Sequence, residues 1–255
     1  MKYYEKMVDM GCFSREDINS LTGNPDAAHS LLYDYTQKGL IERVRRDLYV
    51  TISLETKQPV RNRYAIASKI SESSYITHHS AFEYYGCANQ VYYEVYVSGD
   101  KYFSPFSYDG IEYKYIKPHI SDGVVTAANG VMVTDIERTV LDSINDFEKI
   151  GGLEELLKCI QLIPSVKEDV LLKYLKLYDR KHLYQKTGYI LEHFRDILCL
   201  SNDFFCECLK NIPFSKCYLY KTKRKFELEL NSKWNMFVPG ELMLLANKGV
   251  VTSAI

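Results

Sequence analysis

The helix starts and stops in the first fifty or so residues leave few arrangements open. Ser14 precedes Arg15-Glu16-Asp17-Ile18-Asn19-Ser20-Leu21. A serine there caps a helix, and the two acids suit the positive helix end. Thr22-Gly23 stops that helix, and Asn24-Pro25 opens the next. Asparagine is a preferred cap, and proline is tolerated at the first helical position because an N–H there has no partner. Ala27, Ala28, Leu31, Leu32 and Tyr35 then recur at three- and four-residue steps, which makes one buried face. Lys38-Gly39 closes it. The turn Thr22-Gly23-Asn24 has the size of a helix-turn-helix connection. Upstream, residues 3–10 read as a short helix ended by Gly11. Downstream, residues 40–44 and 48–52 read as strands around the polar turn Arg45-Arg46-Asp47. Helix, helix, turn, helix, hairpin is the plan of a winged helix.

The fold class expected is therefore α+β, an N-terminal winged helix-turn-helix followed by a larger mixed α/β C-terminal domain. Residues 1–55 form the first domain, and residues 60–255 the second. The polar connector over 53–63, with Pro59, separates them. In the second domain, short strands are expected near 75–76, 91–97, 111–116, 124–125 and 131–133. Helices are expected over 63–70, 77–85, 135–147, 153–161, 166–178, 187–200 and 203–211, and a last strand pair over 216–220 and 226–230. A chain of 255 residues buries enough surface to fold without a disulfide or metal. Its seven cysteines are odd in number and scattered, which reads as reduced thiols. No apolar run has the roughly 18 residues needed to span a bilayer, and Met1-Lys2-Tyr3-Tyr4-Glu5-Lys6 lacks the apolar core of a secretory signal. A cytoplasmic protein without a membrane partner is expected.

The net charge of −1 points to no partner, but its distribution does. Between Arg43 and Lys69, the bases Arg43, Arg45, Arg46, Lys57, Arg61, Arg63 and Lys69 face only Asp47 and Glu55. In a helix-turn-helix the last helix enters the major groove with its N-terminal residues near base edges. The positions opposite its apolar face are Asn24, Asp26, His29, Ser30 and Tyr33. Asn, His and Ser hydrogen-bond bases or phosphates. Arg43, Arg45 and Arg46 at the hairpin tip suit phosphates or a narrow minor groove. Lys57, Arg61 and Arg63 are candidates for further phosphate contacts. Three arginines in four positions are hard to explain as packing, so double-stranded DNA is the expected partner.

Catalytic, metal and cofactor sites are not expected. Arg138 and Asp142 stand four apart on one helical face, as an ion pair would, and Thr134 with Glu137 has capping-box spacing. His78-His79-Ser80 lacks a third metal ligand at helix spacing and reads as a polar network, with Thr77 as helix cap. No phosphate-binding glycine loop is present. The run Lys221-Thr222-Lys223-Arg224-Lys225 reads as an exposed hairpin turn.

Several stretches together resemble the AbiEi-type antitoxins of bacterial type IV toxin–antitoxin systems, transcriptional regulators of viral-defence operons. One is the winged-helix segment over 13–52. A second is Tyr75-Ile76-Thr77-His78-His79-Ser80-Ala81-Phe82-Glu83-Tyr84-Tyr85-Gly86. A third is Val133-Thr134-Asp135-Ile136-Glu137-Arg138-Thr139-Val140-Leu141-Asp142. A fourth is Lys186-Thr187-Gly188-Tyr189-Ile190-Leu191-Glu192. The last sixty or so residues carry no matching motif. The resemblance implies an N-terminal DNA-binding domain that represses its own promoter at inverted repeats, with a C-terminal domain needed for antitoxin action. It also implies a nucleotidyltransferase-like toxin as functional partner, without a stable complex. The family's recognition-helix and wing positions fall on residues 24–33 and 43–46. One departure is charge: through Arg63 there are nine acids against ten bases, which predicts weak non-specific DNA affinity. The rival reading is a protein-binding module that holds a partner through its tyrosine-rich C-terminal domain without DNA readout.

Overall fold

A computed structural model describes residues 3–127, 130–220, 228–240 and 242–243. The chain divides into two compact units. One comprises Met1–Ile76, Tyr92–Pro118 and Val124–Val133, the other Thr77–Val91, His119–Gly123 and Thr134–Ile255. The connector over 53–63 lies inside the first unit.

The first unit opens with α1 (Tyr4–Met10), β1 (Cys12–Ser14), α2 (Arg15–Thr22), α3 (Pro25–Gln37), β2 (Ile41–Arg45) and β3 (Leu48–Thr51). Ser14 caps α2 through a reciprocal box. Asp17 N–H donates to Ser14 Oγ at 3.1 Å, and Ser14 N–H donates to Asp17 Oδ2 at 2.7 Å. Each bond satisfies a donor the helix itself cannot. Ser14→Ala is expected to cost about 1 kcal/mol, read as a lower midpoint in chemical unfolding. Gly23 closes α2 in the left-handed region at φ 70°, where a side chain would be strained. Asn24 then caps α3 with Pro25 in its first turn. Met7, Phe13, Ile18, Ala28, Leu32, Tyr35 and Ile41 form the core between these helices and the hairpin. Strand β1 is too short to show alternation in the sequence. It pairs antiparallel with β3, Cys12 opposite Val50, and makes a three-stranded sheet in the order β1-β3-β2. The result is a helix-turn-helix with an antiparallel wing.

The first unit continues with α4 (Arg63–Ala67) and most of a six-stranded sheet. Its strands are β4 (Tyr75–Ile76), β5 (Glu94–Ser98), β6 (Phe106–Tyr108), β7 (Ile111–Tyr115), β8 (Val124–Thr126) and β9 (Met132–Thr134), in the order β6-β7-β5-β4-β9-β8. The sheet is mixed: β4 runs antiparallel to β5 and parallel to β9, while β7 runs parallel to β5 and antiparallel to β6. Ile76, Val95, Val97, Tyr113 and Val133 are buried in it.

The second unit packs α5 (His78–Tyr84), α6 (Ile136–Asn145), α7 (Leu153–Gln161), α8 (Glu168–Tyr178), α9 (Lys181–Glu192) and α10 (Asn202–Lys210) around a single core. A small sheet of β10 (Cys217–Tyr218), β12 (Met236–Pro239) and β11 (Leu228–Asn231) joins them. Helix α7 matches its expected span, because Leu153, Leu156, Leu157 and Ile160 repeat at helical spacing and all are buried. Helix α9 does not match. It begins at Lys181, where no capping side chain marks the start, and ends at Glu192 rather than near 200. Phe194, Leu198 and Leu200 remain buried beyond it, so the apolar period outlasts the helix. Two expected caps also differ. Asp135, not Thr134, caps α6, accepting from Arg138 N–H at 2.7 Å. Thr77 makes no cap bond, and its hydroxyl donates to Asp142 Oδ2 at 3.1 Å. Residues 221–225 lie outside the described residues. Among the described residues no helix is long and apolar enough to cross a membrane.

Candidate nucleic-acid interface

Helix α3 buries Ala28, Leu32 and Tyr35 and leaves Asp26, His29, Ser30, Tyr33 and Gln37 exposed. These recur at steps of three, one, three and four, so they share one face. Tyr33 is 65% exposed, far more than a packing tyrosine requires. Asn24 is exposed, and its Oδ1 serves the cap, accepting from Asp26 N–H at 2.8 Å and Ala27 N–H at 3.2 Å. A groove beside this face is lined by Arg15, His29, Tyr33, Gln37, Arg43 and Tyr49. Among its described lining residues there is no carboxylate, so two guanidinium groups set its charge.

The wing arginines separate into three roles. Strands β2 and β3 shift register between Arg43 and Arg45, a bulge that breaks strict alternation. Ile41 and Val44 are both buried although three residues apart, and Arg43 is left exposed towards the groove. Arg45 is only half-exposed. Its guanidinium lies 5.3 Å from the Phe103 ring centroid and 5.0 Å from that of Phe106, in cation–π contact. Glu42 beside it accepts from Tyr108 Oη at 2.6 Å, a second tie between the wing and β6. Arg46 occupies the two-residue turn with Asp47, whose φ is 60°. The Arg46 side chain is 88% exposed and meets Asp47 at 3.5 Å, a pairing that solvent screens almost completely.

The connector cations also divide. Lys57 is exposed. Arg61 donates to the Asp9 carbonyl at 3.0 Å and packs against Gly11, where a Cβ would meet its Nε at 2.3 Å. Arg63 donates to the Tyr92 carbonyl and to Tyr64 Oη, and its guanidinium lies over the Tyr64 ring. Arg61 and Arg63 thus hold the first unit together. Arg15 and Gln37 were not singled out in the sequence. Arg15 follows a helix cap, a position that favours an exposed side chain; Gln37 is visible only as the next step along the α3 face.

Glu137 and Asp142 of the second unit are engaged in packing. Glu137 Oε1 accepts the Lys167 N–H at 2.8 Å. Asp142 pairs with Arg138 at 2.9 Å, with both side chains buried, as the four-residue spacing led one to expect. Burial pushes the Tyr174 and Tyr178 hydroxyls well above the usual range, and the hydrogen-bonded Asp135 and Asp142 carboxylates add to it.

Comparisons with known proteins bear on the fold and on the first unit. The crystal structure of the RV2827C protein from Mycobacterium tuberculosis superposes with a TM-score of 0.64 at 12% identity, over 93% of this chain and 89% of that one. At that identity the likeness shows a shared fold. No curated protein matches the chain in sequence. Residues 9–52, which run from the end of α1 through the wing, match the family described as transcriptional regulator, AbiEi antitoxin.

Proposed function

We propose that the chain is a sequence-specific DNA-binding repressor and the antitoxin of a type IV toxin–antitoxin system, autoregulating its operon at inverted repeats. The observation that carries this is the exposed α3 face of His29, Ser30, Tyr33 and Gln37 beside the carboxylate-free groove of Arg15 and Arg43. Helix α3 reads base edges in the major groove. Arg15 and Arg43 take phosphates on either side, and Arg46 at the wing tip reaches the flanking backbone. Arg45 holds the wing against Phe103 and Phe106, so it positions its neighbours rather than touching DNA. The near balance of charge in this segment makes base readout and paired operator sites more important than non-specific attraction. The functional partner is a nucleotidyltransferase-like toxin, opposed without a stable complex. No enzymatic step is part of the proposal, since Glu137 and Asp142 are taken up by Lys167 and Arg138.

The test is binding of the full chain to a fluorescent duplex of its own upstream region, beside a scrambled duplex, at several salt concentrations. Saturable binding that prefers the upstream duplex is expected. Arg43→Ala and Arg46→Ala are each expected to weaken both duplexes alike and to reduce the salt slope by about 0.9 per lost phosphate contact. His29→Ala is expected to cost about 1–3 kcal/mol on the upstream duplex alone. Equal affinity for both duplexes, or an unchanged salt slope in both arginine variants, overturns the proposal. No binding at low salt leaves the protein-binding module as the better reading.

A further inference from the structure

Two helices of the second unit bring together chemistry that DNA binding leaves unused. Helix α5 carries His79 and Glu83 four residues apart, and α7 carries Glu155 and Cys159 at the same spacing. That spacing puts each pair on one helical face. His79 and Cys159 are fully buried, and Glu155 is 3% exposed. His79 Nδ1 lies 3.2 Å from Glu83 Oε1, and His79 Nε2 lies 3.3 Å from Glu155 Oε1. Cys159 Sγ lies 3.6 Å from that same oxygen. One donor atom from each of His79, Glu155 and Cys159 falls within 4.8 Å of the other two.

The bonding of Glu155 is lopsided. Its Oε1 faces His79, Cys159 and the backbone N–H groups of Asn89 and Gln90, both at 3.2 Å. Its Oε2 is buried and has no hydrogen-bond partner. A buried carboxylate oxygen left in that state is costly. A cation on the Oε2 side would remove the cost.

We propose that His79, Glu155 and Cys159 form a buried site for a divalent transition metal of the zinc class. Mixed nitrogen, oxygen and sulfur donors suit zinc, which takes imidazole, carboxylate and thiolate in a tetrahedral shell. His79 binds through Nε2, with its Nδ1 3.2 Å from Glu83 Oε1, where a carboxylate commonly supports a metal-bound histidine. Glu155 contributes a carboxylate oxygen, and Cys159 contributes its thiolate. Binding exchanges the Cys159 thiol proton and the His79 Nε2 proton for the metal ion. With three buried ligands from two helices, the metal clamps α5 to α7.

The site goes beyond the DNA-binding proposal and stands independently of it. The experiment uses the full chain, stripped with a chelator and titrated with cobalt(II), then zinc(II), under reducing conditions. Expected are one cobalt per chain, a thiolate-to-cobalt charge-transfer absorption, and its loss on adding zinc. Cys159→Ser removes the absorption while circular dichroism stays native, and Cys199→Ser/Cys206→Ser, which alters two exposed thiols, keeps it. Glu155→Gln, which retains the thiol, weakens cobalt binding by at least about tenfold. A folded wild-type chain without the absorption overturns the proposal, as does an absorption that survives Cys159→Ser. If Cys159→Ser fails to fold, unchanged cobalt affinity in Glu155→Gln overturns it instead.

Discussion

Asp142→Ala is expected to lower the stability of the second unit by about 3–5 kcal/mol. The side chain is 3% exposed, and its partner Arg138 is fully buried. Arg138 Nε donates to Asp142 Oδ2 at 2.9 Å, Thr77 donates to the same oxygen at 3.1 Å, and the Tyr178 hydroxyl donates to Oδ1. Alanine would take the paired carboxylate from a buried guanidinium, whose Nη1 still donates to the Asp122 carbonyl, and from the two hydroxyls beside it. The cost comes from the charge left without its partner, and the ion pair itself adds little net stability. Arg138→Met/Asp142→Leu, which removes both charges, is therefore expected to lose much less than Asp142→Ala. Guanidinium unfolding followed by tryptophan emission measures this, because the only tryptophan, Trp234, sits in the same core. A double variant as unstable as the single one would show that the pair matters for its shape alone. Typical folded domains have about 5–15 kcal/mol in total, so the single variant stands close to unfolding.

The second large effect concerns Trp234 itself. It is wholly buried, and its Nε1–H donates to Glu192 Oε2 at 2.8 Å. The ring lies flush on α9 because residue 188 has no side chain. A Cβ at Gly188 would fall 2.1 Å from two ring carbons. Trp234→Ala is expected to cost about 3–5 kcal/mol, the range for emptying a large aromatic site. Gly188→Ala is expected to cost about 1–3 kcal/mol by forcing the ring off its seat. The two are coupled: once Trp234 is alanine, Gly188→Ala should cost nothing and gain helix propensity. Far-ultraviolet circular dichroism during denaturation reads all four proteins. Additive costs would mean the ring is not what keeps residue 188 small.

Much of the candidate interface was legible because it depends on neighbours three or four residues away. Ser14 and Asn24 announce their helices, Pro25 fits only a first turn, and Ala28, Leu32 and Tyr35 mark which face is buried. The face left over is then the exposed one, and Asp26, His29, Ser30 and Tyr33 do lie exposed on it. The arginines were harder. Arg43, Arg45 and Arg46 look alike in a row of bases, and only the bulge in β2 and the rings of Phe103 and Phe106 distinguish them. Those rings stand some sixty residues downstream, on and before a strand that the sequence did not reveal.

Local sequence determined the capped helices, the helix-turn-helix spacing, α7 and the Arg138–Asp142 pairing, since each is an interaction within one or two helical turns. Tertiary structure alone decided the rest. Strand β1 exists because β3 is there to accept its hydrogen bonds, and the order of the six-stranded sheet follows from pairings between distant segments. Two histidines in a row had no visible third ligand. Glu155 and Cys159 reach His79 because α5 and α7 share one core, and an interaction between residues more than seventy positions apart leaves no period in the sequence to read.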